Sequence, residues 1–134
     1  MTRQIFVNTS VRDLKKSMAF FSKLGFEFNP QFTDENATCM VLSEDGYVML
    51  LVEEFFKTFT KKDLADTTTK VEAILALSAD SREDVDEFAD KALAAGAQPA
   101  NEPSDQGFMY GRSFYDLDGH MWEIFWMDPS TVQG

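Results

Sequence analysis

Residues 121–126, Met-Trp-Glu-Ile-Phe-Trp, set one carboxylate into an otherwise apolar run. Read as a strand, this run puts Glu123 on one face with Met121 and Phe125, and Trp122, Ile124 and Trp126 on the other. A carboxylate on an apolar wall titrates high unless it is paired, and can act as general base, general acid or receptor for a ligand cation. The plain alternative is a Glu paired with Arg112 or a backbone donor, without a function. The run 107–112, Gly-Phe-Met-Tyr-Gly-Arg, is the richest local cluster. Arg112 carries the fork that grips a substrate carboxylate, Tyr110 offers a phenol, and Gly107 and Gly111 permit a bend or a close backbone approach. A strand twist at the glycines and a surface ion pair for Arg112 explain the same residues. Asn8 and Ser10 share a strand face with Phe6, either to orient a polar ligand or as polar residues near a module junction. His120 follows Gly119 in a turn, and its parity is opposite to that of Glu123. Cys39 has no base nearby in sequence; a core role suffices, and a nucleophile pair with His120 stays open. Phosphate loops, a nucleophile elbow and dinucleotide fingerprints are missing.

Composition narrows the partners. Twelve Lys+Arg stand against 23 Asp+Glu, a net charge of −11. Such a field repels nucleic-acid phosphates and anionic lipid, attracts cationic small molecules, and by itself also keeps a surface soluble. Thirteen Phe, two Trp, three Tyr and seven Met can fill a core and still line an apolar pocket. One cysteine allows no intrachain disulfide and suits a reducing compartment; together with the N-terminal sequence it predicts a cytoplasmic protein. One His and one Cys are too few for a His/Cys zinc site.

The elements that must position these residues read as two similar halves. A strand over 4–11 leads to a helix capped by Asp13, with Leu14, Met18, Phe21 and Leu24 on one stripe and Gly25 as its stop. Strands follow over 26–33 (Pro30 suiting an edge), 37–43 and 47–53. Residues 54–69 form a linker with a short helical piece, its Phe55, Phe56 and Phe59 packing or meeting a second copy. Then come a strand over 71–79 and a helix with a capping-box-like start, Ser81 with Asp84 three residues on, closing at Gly96. That helix buries Val85, Phe88, Ala92 and Leu93. A short strand near Gln98, a loop through Gln106, a strand over 108–115, the turn 116–119, a strand over 120–127 and a tail over 129–134 complete the chain. Each half is thus βαβββ. One helix cannot cover both faces of such a sheet, so the expected fold is α+β, with two curled sheets around a shared cavity.

The segment 7–21, Val-Asn-Thr-Ser-Val-Arg-Asp-Leu-Lys-Lys-Ser-Met-Ala-Phe-Phe, resembles the opening strand and helix of the vicinal oxygen chelate superfamily, the glyoxalase, bleomycin-resistance and dioxygenase group. The run 116–124, Asp-Leu-Asp-Gly-His-Met-Trp-Glu-Ile, is similar to its closing turn and strand, and 80–96 to its second helix. The likeness spans nearly the whole chain and is strongest to small bacterial proteins named as predicted lactoylglutathione lyases. It implies a homodimer, its modules paired within one chain or completed across the dimer, and a divalent metal held at four inward positions. Those positions fall on Phe6, near Leu50, near Ile74 and on Glu123. Glu123 alone is a ligand, so no cofactor is expected. Three functions remain. One is metal-free binding of a small, cationic aromatic molecule by Phe6, Asn8, Ser10, Leu50, Ile74, Tyr110, Arg112, Met121 and Phe125, with Glu123. A second is a zinc- or nickel-dependent lyase of the lactoylglutathione type using Glu123. The third is an interaction protein whose cavity is filled by its own side chains.

Overall fold

A computed structural model of the chain describes residues 2–131, so 132–134 of the expected tail lie outside the described residues. The chain divides into two compact units, Met1–Ala65 and Asp66–Gly134. The boundary falls inside the expected linker.

The first unit runs β1 (Ile5–Val11), α1 (Leu14–Lys23), β2 (Glu27–Asn29), β3 (Ala37–Val41), β4 (Gly46–Val52) and a short α2 (Glu53–Phe56). Asp13 starts α1 by accepting a hydrogen bond from Lys16 N at 3.0 Å. Its sheet has the order β1-β4-β3-β2, with β1 parallel to β4 and the other pairs antiparallel. Val48, Leu50, Met40 and Thr38, each no more than 1% exposed, form the face sealed by α1, whose Leu14, Ser17, Phe20 and Phe21 are buried. Helix periodicity anticipated Leu14 and Phe21; Phe20 and Ser17 are buried beside them. The strand expected over 26–33 stops at Asn29, because Asn29 Oδ1 accepts from Gln31 N at 3.0 Å and Pro30 opens a 3₁₀ turn. After α2 the chain makes a second 3₁₀ turn, Lys57–Phe59, with the rings of Phe55 and Phe59 edge to face at 5.1 Å.

The second unit runs β5 (Ile74–Ser78), α3 (Arg82–Ala94), β6 (Gln98–Pro99), β7 (Ser104–Asp105), β8 (Met109–Tyr115) and β9 (Met121–Met127). The cap is a variant of the expected box: Ser81 Oγ accepts from Asp84 N at 3.0 Å, but Asp84 Oδ2 reaches back to Asp80 N, also at 3.0 Å, and not to Ser81 N. The sheet order is β5-β9-β8-β6, with β7 pairing β8 elsewhere along its edge. Val85 and Ala89 of α3 pack on Ile124, with Leu77, Phe88, Tyr110 and Trp126 around them. The fold is α+β, and the repeated βαβββ pattern holds with one addition: the two-residue β7 lies where a plain loop is expected. Among the described residues, no helix is long and apolar enough to cross a membrane.

Candidate functional site

Register decides which side chains can share a site, because neighbours across a sheet point to one face. On β9, Glu123 lies beside Ala76 of β5 and opposite Ser113 of β8; Met121 lies beside Ile74 and Phe125 opposite Gly111. Ile74, Met121, Glu123 and Phe125 therefore come together on one face, with Ile74 53% exposed. Tyr110 and Arg112 do not join them. They lie opposite Trp126 and Ile124, on the face that α3 covers. There Tyr110 OH donates to Asp86 Oδ1 at 2.6 Å, and Arg112 Nη1 donates to Asp86 Oδ1 at 3.2 Å and Asp90 Oδ1 at 2.9 Å. Their expected ligand role is corrected accordingly: both tie β8 to α3. Desolvation works to lower the Arg112 pKa, but the two carboxylates outweigh it and raise it; the bond to Asp86 raises the Tyr110 pKa.

The slip has a local cause. A closed four-residue turn over 116–119 would set Tyr115 opposite His120 and Arg112 opposite Glu123. Instead Asp116 N donates to His120 O at 2.9 Å, His120 stays out of the strand, and Tyr115 pairs with Met121. One residue more in the turn moves every later side chain to the other face.

In the first unit, Phe6, Asn8 and Ser10 share a face with Tyr47, Met49 and Leu51. Leu50 pairs with Thr9 and Thr38, so it lies on the α1 face and not with Phe6; this corrects its place among the ligand contacts. Phe6, 49% exposed, stacks on Tyr47 with ring centroids 4.7 Å apart. Asn8 Nδ2 donates to Phe6 O at 3.2 Å, which directs that amide along its own strand. Cys39 is buried, and burial pushes its thiol pKa up, away from the nucleophilic thiolate.

The half-buried Glu123 has no hydrogen bond or ion pair among the described residues. It opens on a cleft of about 70 Å³ whose wall includes Asn101, Glu102, Ser104, Met109 and Ser113. Arg112 touches this wall between Gly111 and Ser113, but its guanidinium is held by Asp86 and Asp90. Ser113 Oγ accepts from Asn101 N at 2.9 Å, which leaves its hydroxyl hydrogen to donate. Ser113, Asn101 and Ser104 were missed in the sequence, where parity from Glu123 across an open turn was the one available signal. A larger hollow in the first unit, about 430 Å³, is lined by Glu53, Lys57, Thr60, Lys62, Asp63 and Leu64. Its opposite charges offset one another, and Lys57 is already bonded to Glu54 at 3.3 Å.

A divalent metal does not suit these donors. Phe6 and its neighbours Tyr47 and Met49 supply no carboxylate or imidazole, nor do Ile74, Ala76 or Met121 beside Glu123. Among the described residues no three His, Cys, Asp or Glu side chains gather as ligands. One carboxylate cannot hold such an ion against water.

On the α3 face, Asp105 forms a two-pronged pair with Arg82 at 2.9 Å in each arm, and this pair together with the Gly107 N–H lowers its pKa from 3.8 to about 2. The native state thus binds this proton less tightly than the unfolded chain, and stability rises with pH between about 2 and 3.8. Asp105→Asn should be less stable than wild type above pH 4, with the difference shrinking towards pH 2. Urea midpoints at pH 2–6 measure it.

The family model of the Glyoxalase/Bleomycin resistance protein/Dioxygenase superfamily matches residues 4–124. A hypothetical protein from S. aureus is 30% identical, with a TM-score of 0.78 over 93% of this chain and 94% of that one. A glyoxalase/bleomycin resistance protein/dioxygenase family enzyme from Burkholderia phytofirmans shares the fold at 18% identity, with a TM-score of 0.77 over 94% and 99%. So does the fosfomycin resistance protein FosX of Listeria monocytogenes, at 19% identity and a TM-score of 0.68 over 97% of each chain. No curated protein matches the chain.

Proposed function

This chain belongs to the glyoxalase/bleomycin resistance protein/dioxygenase superfamily, and from that premise we propose that it binds a small organic cation, aromatic in part, at Glu123 without a resident metal. The observation that carries the reading is the half-buried Glu123, its accessible carboxylate without a partner among the described residues and set among Ile74, Ala76, Met121 and Phe125. Its oxygens stay open to the cleft, where a ligand cation can reach them and bond to them directly. Glu102 adds a second negative charge to the cleft wall, and Ser113 adds a hydroxyl. Phe125, Met121 and Ile74 supply apolar surface for the ligand's ring. A net charge of −11 draws cations towards the protein at long range.

Glu123→Gln keeps shape and removes charge. A charge-assisted hydrogen bond is worth about 1.5–3 kcal/mol, so the variant should bind benzamidine at least about tenfold more weakly than wild type. Its affinity for neutral benzamide should stay unchanged. Calorimetric titration with a panel of aromatic ammonium and amidinium compounds and their neutral analogues decides the matter. Equal affinity of wild type and E123Q across the cations would sink the reading.

The same reading takes the protein to be a cytoplasmic homodimer. Ile5, Phe6, Phe32, Phe59 and Ile74 are large apolar side chains left exposed on the single chain, surface that a second copy would cover. Light scattering should then give twice the 15.2 kDa chain mass; a monomer at micromolar concentration would refute the pairing.

A further inference from the structure

Asn101, Glu102 and Ser104 of the segment 101–108 wall the Glu123 cleft, and every residue of that segment is exposed. Little apolar burial holds this segment, and its only strand is β7, two residues long. Alternation across β7 sends its two side chains to opposite faces. Ser104, opposite Gly111, falls on the Glu123 face and lines the cleft; Asp105, opposite Tyr110, falls on the α3 face.

On that second face Arg82, the first residue of α3, closes on the segment. Nη1 donates to Asp105 Oδ2 and Nη2 to Asp105 Oδ1, each at 2.9 Å, and Nη2 also donates to Gly107 O at 2.9 Å. Asp105 Oδ1 accepts from Gly107 N at 2.9 Å, so the grip includes backbone as well as side chain. The guanidinium carbon lies 5.2 Å from the Tyr110 ring centroid and 5.3 Å from that of Trp126. A planar fork with two carboxylate bonds and two ring faces has one geometry, which a lysine ammonium cannot reproduce.

We propose that Arg82 is a positioning residue for the Glu123 cleft: from the opposite face of the sheet it holds Asp105, and through the two-residue strand it fixes the Ser104 wall. The proposal rests on Glu123 marking a binding site, and it makes access to that site depend on a residue that does not touch it. Loss of the clamp lets the wall swing outward while the β8–β9 hairpin stays paired.

A ligand-free readout tests this. In a Glu123→Cys background, alkylation of the introduced thiol by iodoacetamide, followed by peptide mass spectrometry, reports access to the cleft floor. Adding Arg82→Gln should raise that rate at least fivefold, and Asp105→Asn should do the same. Arg82→Lys should fail to restore the slow rate. In the Glu123 chain, R82Q should speed amide exchange over 101–107 and leave Trp122 and Ile124 protected, which a general loss of stability would not do. Benzamidine binding to R82Q should weaken at least tenfold. An unchanged alkylation rate, or accelerated exchange throughout β9, overturns the proposal. If benzamidine binds neither chain, the ligand reading fails, and the alkylation rates still decide the clamp.

Discussion

Gly119→Ala should cost the second unit a large share of its stability. Gly119 sits at φ +88°, and a Cβ there would lie 2.2 Å from Thr67 O and 2.9 Å from Thr67 C. Both atoms are backbone, so no flexible side-chain end can move aside. Thr67 is also tied in place, its hydroxyl donating to Asp118 O. The left-handed conformation alone costs an alanine roughly 1–2 kcal/mol. With the overlap added, we expect a loss above about 4 kcal/mol, the range of exceptional single substitutions. Against a domain stability of about 5–15 kcal/mol that is between about a quarter and most of the total. Gly25→Ala is the control: φ is +99° but nothing lies within 4 Å of the added carbon, so only the conformational cost remains. Urea unfolding followed by circular dichroism separates the two. Equal midpoints for both variants would show that the Thr67 approach is not close in solution.

The second large effect is expected at Asp116, which is 7% exposed. Its Oδ1 accepts from Asp118 N at 2.9 Å and His120 N at 3.0 Å, and its Oδ2 from Trp122 Nε1 at 2.9 Å. Asp116→Ala removes the acceptor of three hydrogen bonds from buried or half-buried residues. At about 1–1.5 kcal/mol for each of the three hydrogen bonds lost, the loss should reach about 3–5 kcal/mol. Asp116→Asn keeps Oδ1 but turns an amide N–H₂ towards the indole N–H, and should fall between wild type and alanine. Burial pushes the Asp116 carboxyl above its ordinary 3.8, opposed by the charge of His120 and the bonds from Trp122 and Asp118. The folded state therefore holds this proton more tightly than the unfolded one, and its contribution to stability declines as pH rises above about 3.8 until the native group ionises. Wild type should exceed D116N most at low pH, with the gap narrowing as pH rises. Both chains carry Asp105, whose opposite trend cancels in the difference. Denaturant midpoints between pH 3 and 8 measure the gap; one that widens with pH would contradict the burial account.

Local rules were legible along the chain because they act over a few residues. The cap at Asp13, the cap at Ser81, the stops at Gly25 and Gly96, and the alternation around Glu123 all depend on near neighbours, and all are present. The repeat followed from the same signals; alternation put Met121, Glu123 and Phe125 on one face, and the family resemblance put Ile74 near them, where the register sets it. Tyr110, Arg112 and Leu50 were misassigned for a different reason. Each needs a register between strands, and a register turns on one hydrogen bond in a turn, such as Asp116 N to His120 O. The larger hollow beside Lys57 and the clamp at Arg82 left no sequence signal, since their partners lie far apart in order.

Sequence alone determined the α+β class, the two modules, the surplus of acid, and the lone carboxylate among hydrocarbon on β9. These are properties of composition and of periods of two and 3.6, which a chain carries wherever it packs. Tertiary structure decided which residues stand beside that carboxylate. It sent Arg112 to Asp86 and Asp90, brought Ser113 opposite Glu123, and set Arg82 against Asp105 across 23 positions. Contacts of that kind depend on the geometry of pairing and on the packing of α3, which emerge only when the whole unit closes.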